Sequence, residues 1–183
     1  LMIEYLVALD ARVLEALYAL RDPGIVQIFI WITELGSTVT IGGIALALGL
    51  LLLVRKQFSY FVGICITVAG TILAVSFLKE IIARARPDVA YQAYLESGFS
   101  FPSGHAAFSL ALYGFLAVLA WRSLPSGPTR AVLTALAIAI IALVGFSRLY
   151  LGVHYASDIF WGYVVGGILL WIGISVAQRF ERM

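Results

Sequence analysis

Five long apolar segments constrain the fold of this chain more than any other feature of its sequence. They cover about residues 38–54, 58–78, 104–121, 131–147 and 155–177. Each is close to the ~17–25 residues that an α-helix needs to cross a bilayer. The sequence therefore predicts an all-α membrane bundle of five transmembrane helices, folded as a single domain over residues 1–183.

The composition leads to the same class of protein. Hydrophobic residues make up 62% of the chain and charged residues 12%, whereas soluble domains contain roughly 25% charged residues. The mean hydropathy is +1.02. The formal net charge of +2 comes without a basic block, which argues against a nucleic acid partner. Cys65 is the single cysteine, which excludes an intrachain disulfide and argues against a thiol metal site.

The amino-terminal segment carries too many charges to form a span. Residues 3–20 show a helical apolar stripe interrupted by acidic and basic residues, a pattern typical of an amphipathic helix in the membrane interface. The sequence DPG at residues 22–24 ends this helix. Residues 25–35 are apolar but include Glu34, so the first bilayer crossing is predicted to begin near Thr38.

The distribution of Lys and Arg predicts the orientation. If the five spans alternate, most basic residues of the short loops fall on one side, which the positive-inside rule makes cytoplasmic. These residues are Arg55, Lys56, Arg122, Arg130, Arg179 and Arg182. Four basic residues break the rule by facing outward, namely Lys79, Arg84, Arg86 and Arg148. These four exceptions need a reason to be there.

Three polar motifs lie at the outward boundaries of the spans. They are KEIIARARP at residues 79–87, PSGH at residues 102–105 and SRLYLGVHYASD at residues 147–158. Ionisable groups between apolar segments are costly, so they mark functional sites in membrane proteins. Because all three boundaries meet the same face of the bundle, we expect their polar side chains to form one cluster.

The first two motifs offer cations and backbone amides. Lys79 and Arg86 are two helical turns apart, so both can point to one side before Pro87 stops the helix. Taken alone, such residues are usually anchors that reach toward the interface. Ser103 and Gly104 form a helix-start signal, which presents free N–H groups and a positive dipole end to an anion.

The third motif offers a histidine backed by a carboxylate. If a helix opens over residues 153–158, His154 and Asp158 lie at i and i+4 on one face, and the carboxylate can accept a hydrogen bond from one imidazole nitrogen. The other nitrogen is then free to act as a base or nucleophile. The alternative interpretation is a structural ion pair beside a satisfied histidine at a helix start.

Together the three motifs describe a site for a phosphate dianion and for phosphoryl transfer without a metal. A metal-dependent phosphatase needs a cluster of carboxylates. Outside Asp158 the candidates are Glu80, Asp88 and Glu96, and the clustered cations would repel a divalent ion. We therefore expect no metal and no cofactor.

The same three motifs, complete and in order, resemble those of the type 2 phosphatidic acid phosphatase superfamily of membrane lipid phosphatases. The resemblance implies that His154 is the nucleophile that becomes phosphorylated, that Asp158 orients it, and that His105 protonates the leaving oxygen. It also implies a set of phosphate-binding residues, which are Lys79, Arg86, Ser103, Gly104 and Arg148. Members commonly have six spans, so the first of them is expected to be missing here.

The resemblance implies a lipid phosphate substrate in a prokaryotic inner or plasma membrane, and the distribution of Lys and Arg predicts that the active site faces the extracytoplasmic side. The candidate substrates are undecaprenyl pyrophosphate, phosphatidylglycerol phosphate, phosphatidic acid and a lipid A phosphate. The aromatic loop at residues 88–101 either helps to receive the lipid or simply lies at the depth of the headgroups. No obligatory protein partner is expected. Two alternatives are a lipid phosphotransferase that uses the same phosphohistidine and a non-catalytic lipid-phosphate binder or transporter. The intact pair of His154 and Asp158, together with His105, argues against the second.

Overall fold

The computed structural model describes residues 2–181, which form an all-α bundle. Its helices are α1 (Met2–Ala19), α2 (Pro23–Glu34), α3 (Thr38–Val54), α4 (Phe58–Ile82), α5 (Gly104–Ser123), α6 (Pro128–Tyr150) and α7 (Ala156–Glu181), with a short 3-10 turn at Val89–Tyr91. Within this described range no residue is in a β-strand. The predicted all-α fold is confirmed.

Five stretches of the described residues are long and apolar enough to cross a membrane, which confirms the predicted number of spans. The first stretch is longer than predicted, because α2 and α3 together make one apolar run over Pro23–Val54. The two helices are separated by a short turn at Leu35 and Gly36, after which the Ser37 side chain accepts a hydrogen bond from the Thr40 amide and caps α3. The apolar run therefore does not begin at Thr38.

The backbone of helix α7 lies close to those of α4 and α5, because α7 has glycines where it crosses them. A Cβ added to Gly166 would lie 2.4 Å from the carbonyl oxygen of Ala107, and one added to Gly162 would lie 2.6 Å from that of Ser103. The close spacing of these small residues thus serves packing inside the bundle. It brings the first turns of α5 and α7 side by side.

Two helix ends differ from the predicted ones. Helix α4 stops at Ile82, where Ala83 adopts a left-handed conformation with φ of 47° and donates its N–H to the backbone carbonyl oxygen of Lys79. Pro87 is therefore not what ends this helix, and Arg86 lies in the following loop. Helix α7 begins at Ala156, so His154 precedes the helix instead of lying on it.

Helix α1 packs on α6 and α7. Its described apolar side chains before Asp10 are exposed, as for Tyr5 and Val7, whereas Asp10 itself is buried. The amphipathic helix is thus confirmed as a helix, and its place in the membrane interface stays a prediction.

The C-terminal ends of α4 and α6 and the N-terminal ends of α5 and α7 meet at one end of the bundle. The loop at residues 83–103 and the turn at residues 151–155 cover that end.

Candidate active site

His154 and Asp158 are both buried and lie against each other at the start of α7. His154 is in the turn before the helix, and its Nδ1 is 3.4 Å from Oδ2 of Asp158. Asp158 is in the first helical turn, and Oδ2 also accepts the backbone N–H of Tyr155 at 2.9 Å. The predicted pair is present, but the carboxylate folds back over the turn instead of sharing a helix face with the imidazole.

The other imidazole nitrogen faces a guanidinium. Arg86 Nη1 lies 3.1 Å from Nε2 of His154 and also donates to the carbonyl oxygen of Val153 at 2.9 Å. A guanidinium can only donate, so Nε2 is the acceptor and the ring proton is on Nδ1, toward Asp158. This tautomer leaves the lone pair of Nε2 directed toward the cations.

Burial sets the charge of His154. Loss of hydration, reinforced by the positive charges of Arg148 and Arg86, lowers the pKa of His154 to about 4, although Asp158 favours the protonated form. The imidazole is therefore neutral near pH 7. A neutral imidazole is the form that can act as a nucleophile.

Arg148 is the most completely buried cation of the site. It lies in the last turn of α6 with 0% exposure. Its Nη1 donates to the hydroxyls of Thr33 at 2.9 Å and Tyr94 at 2.5 Å, and its Nη2 donates to the carboxylate of Glu96. Its Nε has no hydrogen-bond partner among the described residues. An unpartnered donor on a buried guanidinium fits a site that receives a further anion.

Glu96 stands between the two guanidiniums. Besides Arg148, it faces Arg86 Nη2 at 3.5 Å from Oε1, and its Oε2 accepts the hydroxyl of Tyr94 at 2.9 Å. Burial opposes ionisation of Glu96, but Arg148 and Arg86 outweigh it and lower the pKa to about 2. The sequence identified Glu96 only as a possible metal ligand and did not place it among the cations.

Lys79 and the start of α5 complete this end of the bundle. The Lys79 ammonium donates to the carbonyl oxygen of Phe99. The Ser103 hydroxyl faces the Ala106 N–H and caps α5, and the backbone N–H of Ser103 donates to the carbonyl oxygen of Asp158 at 3.0 Å. Gly104 is buried in the first turn of α5. The start of α5 is thereby tied to the start of α7, which carries the histidine pair.

His105 follows in the first turn of α5 and is partly exposed. A Cβ on Gly36 would lie 3.1 Å from its carbonyl oxygen, so the turn between α2 and α3 packs against it. His105 is also among the groups that act on the carboxyl of Glu96, which places it near the cation cluster. Its side chain forms no hydrogen bond with any residue in the described part of the chain.

Three polar residues near Asp158 had no role in the sequence-based prediction. Ser100 is buried, donates through Oγ to Oδ2 of Asp158 and lies 3.4 Å from Nδ1 of His154. Arg84 donates to the other carboxylate oxygen at 2.6 Å and to Asp10 at 2.8 Å. The sequence distinguishes Arg84 as an outward-facing cation, whereas Ser100 and Asp10 differ from other polar residues in no feature of the sequence.

All eight predicted site residues lie at the same end of the bundle. Within residues 2–181, no three His, Cys, Asp or Glu side chains form a group that could hold a metal ion. A multi-span helical bundle with a buried histidine and carboxylate facing clustered cations defines a membrane protein equipped to bind an anionic group and react with it.

Comparison with known proteins identifies the family. The family model described as the PAP2 superfamily matches residues 58–182. The chain is 31% identical to phosphatidylglycerophosphatase B of Bacillus subtilis (strain 168), over 94% of this chain and 85% of that protein. It is 32% identical to the decaprenylphosphoryl-5-phosphoribose phosphatase of Mycobacterium tuberculosis, over 78% of this chain and 75% of that one.

The structural comparison agrees. A crystal structure of a transmembrane PAP2 type phosphatidylglycerolphosphate phosphatase from Bacillus subtilis superposes with a TM-score of 0.82 at 29% identity, covering 95% of this chain and 87% of that one. The structure of Aquifex aeolicus LpxE shares the fold at 22% identity, with a TM-score of 0.66 over 91% of this chain and 95% of that one. The chain belongs to the PAP2 superfamily and is a lipid phosphatase of the PAP2 type.

Proposed function

We propose that this phosphatase hydrolyses its lipid phosphate through a covalent phosphohistidine on Nε2 of His154. The main support is that the two nitrogens of the His154 imidazole face different partners. Asp158 faces Nδ1 at 3.4 Å and Arg86 faces Nε2 at 3.1 Å. The nitrogen that can attack is therefore directed to where a phosphoryl group would be held by cations.

Binding begins with the replacement of Glu96. Its carboxylate pairs with Arg148 and Arg86, so a phosphate dianion would take the place of one anion on the same two guanidiniums. Lys79, the cap residue Ser103 and the first-turn amide of Gly104 supply further donors. A dianion gains more from these donors than a single carboxylate does, because it carries more charge and three terminal oxygens.

The first chemical step transfers the phosphoryl group to the enzyme. As the bond between Nε2 of His154 and phosphorus forms, the bond from phosphorus to the lipid oxygen breaks, and His105 gives that oxygen a proton. Asp158 stabilises the positive charge that grows on the imidazole. Water then attacks phosphorus, His105 takes up a proton from that water, and the bond to His154 breaks to release inorganic phosphate. No step in this sequence requires a metal.

The proposed substrate is a phospholipid phosphate monoester of the phosphatidylglycerophosphate type. The support is the match over most of both chains to a protein named phosphatidylglycerophosphatase B. Undecaprenyl pyrophosphate, phosphatidic acid and lipid A phosphates present the same terminal phosphoryl group and are the competing candidates. The distribution of Lys and Arg supports an active site on the extracytoplasmic side.

Phosphate release from a panel of these four lipids by the purified protein tests the function. Phosphatidylglycerophosphate is expected to give the highest kcat/KM, and chelator is expected to leave the rate unchanged. An added lipid alcohol provides a further arm of the assay. Transfer of the phosphoryl group to that alcohol instead of water would identify a phosphotransferase.

Rapid quenching with substrate labelled in the phosphoryl group tests the intermediate. Wild-type protein is expected to carry acid-labile, base-stable label, and His154→Ala is expected to carry none. Glu80→Gln, an exposed change near the end of α4, serves as the matched control and should label as wild type does. Undiminished labelling and turnover in His154→Ala would refute the assignment.

A further inference from the structure

Asp10 is a buried carboxylate on a helix whose neighbouring side chains are largely exposed. Its exposure is 3%. It accepts the backbone N–H of Ser157 at 2.9 Å and the Ser157 hydroxyl, and Arg84 Nη2 donates to it at 2.8 Å. Burying a carboxylate is costly unless such partners are present. The cluster is therefore a specific connection between α1 and the first turn of α7.

Arg84 connects this cluster to the histidine pair. Its Nη1 donates to Oδ1 of Asp158 at 2.6 Å and to the Ser157 hydroxyl at 2.7 Å. Its guanidinium also lies over the ring of Tyr155, 4.2 Å from the centroid. Burial opposes the charge on Arg84, but Asp10 and Asp158 raise its pKa. One cation is thus shared between two carboxylates.

The two oxygens of Asp158 have different partners. Oδ1 faces Arg84, whereas Oδ2 faces Ser100, the Tyr155 amide and the imidazole of His154. The strength of the interaction between Asp158 and the imidazole therefore depends on how far Arg84 neutralises the charge of the same carboxylate. Asp10 competes for that guanidinium.

We propose that Asp10 is a positioning residue for the reaction, acting through Arg84 on Asp158. By taking a share of the Arg84 charge it leaves Asp158 able to stabilise positive charge on His154, and by holding Ser157 it fixes the turn that presents Asp158. This inference rests on the proposed role of His154 and makes α1 part of the active site.

Activity measurements on Asp10→Asn test the inference. This variant keeps the size of the side chain but loses its charge, so Arg84 then acts on Asp158 alone. We expect kcat to fall by about 10- to 100-fold, the range seen when outer hydrogen-bond partners of metal-bound histidines are removed, with KM changed by less than about threefold. Glu15→Gln, an exposed change on the same helix, should alter neither constant.

A double variant separates electrostatic coupling from loss of packing. In Asp10→Asn/Arg84→Gln no uncompensated cation remains beside Asp158, so kcat should recover above that of Asp10→Asn alone. If Asp10 merely holds α1 against α7, removing Arg84 as well loosens the contact further and kcat falls again. A lower kcat in the double variant would overturn the inference.

A measurement that does not depend on activity distinguishes failure of this inference from failure of the proposed function. The chain has two histidines, so nitrogen NMR of protein labelled at histidine side chains gives signals from two residues, assigned with His154→Ala. Asp10→Asn and Arg84→Gln should move the His154 signals in opposite directions, because they remove charges of opposite sign. Glu15→Gln should leave the His154 signals at their wild-type positions. His154 signals that stay at their wild-type positions in both variants would overturn the inference even if the protein is an active phosphatase.

Discussion

The carboxylate of Glu96 accepts a hydrogen bond from Nη2 of Arg148, a guanidinium with no exposure to solvent. Glu96 belongs to the loop at residues 83–103, whereas Arg148 belongs to the last turn of α6. The contact therefore joins a covering loop to the bundle beneath it. In the proposed mechanism this carboxylate occupies the guanidinium until a phosphoryl group replaces it.

Replacing Glu96 by Gln should strengthen anion binding. The change removes the charge that competes with phosphate for Arg148 and Arg86, so the inhibition constant for orthovanadate should fall by about tenfold, equivalent to about 1.4 kcal/mol. The measurement is inhibition of phosphate release at a fixed substrate level. Glu80→Gln is the control, since it alters the net charge equally at an exposed position outside the cation cluster. Weaker inhibition in Glu96→Gln would mean that Glu96 supports the phosphate site instead of competing with phosphate.

Stability should decrease on mild acidification because of His154. Its pKa falls from 6.5 to about 4 on folding, so between these values the unfolded chain binds the proton that the folded protein excludes. The stabilisation linked to the neutral His154 is fully present above pH 6.5 and is lost as the pH falls toward 4. Over this range the free energy of unfolding decreases by up to about 1.4 kcal/mol per pH unit.

Glu96 acts in a lower pH range. Its pKa falls from 4.5 to about 2, so its stabilisation is present above pH 4.5 and is lost as the pH falls through 2. Thermal unfolding in detergent from pH 8 to pH 4 should therefore show a decrease that His154→Gln removes and Glu96→Gln leaves in place above pH 4.5. An equal decrease in His154→Gln would assign the effect to other groups.

The spans could be predicted from sequence because hydrocarbon thickness fixes helix length, and the three motifs named the residues now found at one end of the bundle. Apart from His154, the partners of Asp158 could not be predicted. Ser100 and Arg84 reach it because the loop at residues 83–103 folds over the helix ends, and that path follows no apolar period. Asp10 reaches the same place because α1 docks on α7, a tertiary contact without a local signal.

The helix ends show a related limit. Pro87 predicts that no helix continues past it, but it does not fix the residue at which the helix ends. Helix α4 ends earlier, at the left-handed residue Ala83. The sequence also placed His154 on α7 because it is four residues from Asp158. The carboxylate of Asp158 instead accepts a hydrogen bond from the backbone N–H of Tyr155 and closes the turn that precedes the helix, as short polar side chains commonly do.

Close packing of α7 on α5 predicts a difference between adjacent glycines. Gly166→Ala would put a Cβ 2.4 Å from a backbone oxygen, whereas the Cβ of Gly167→Ala would meet only the end of the Leu110 side chain at 3.5 Å. Overpacking of this kind typically costs about 1–3 kcal/mol. Gly166→Ala should therefore lower the unfolding temperature in detergent and Gly167→Ala should not. Equal unfolding temperatures would show that the two helices can separate without cost.

Dependence on the leaving group tests His105 as the general acid. In-line displacement puts the attacking and leaving atoms on opposite sides of phosphorus, so a second histidine should serve the oxygen that departs. A lipid alkoxide is a poor leaving group and needs a proton, whereas nitrophenolate departs with little help. General-acid assistance worth about 10²–10⁴-fold should thus largely vanish for an aryl phosphate.

His105→Ala is accordingly expected to lose most of its kcat/KM on a lipid phosphate monoester and much less on nitrophenyl phosphate. A lipid pyrophosphate should fall between, because phosphate leaves more readily than an alkoxide. His154→Ala provides the contrast, since loss of the nucleophile should abolish turnover of all three substrates. If His105→Ala instead lowers all three rates by the same factor, His105 holds phosphate or structure, and the proton must come from another group facing the leaving oxygen.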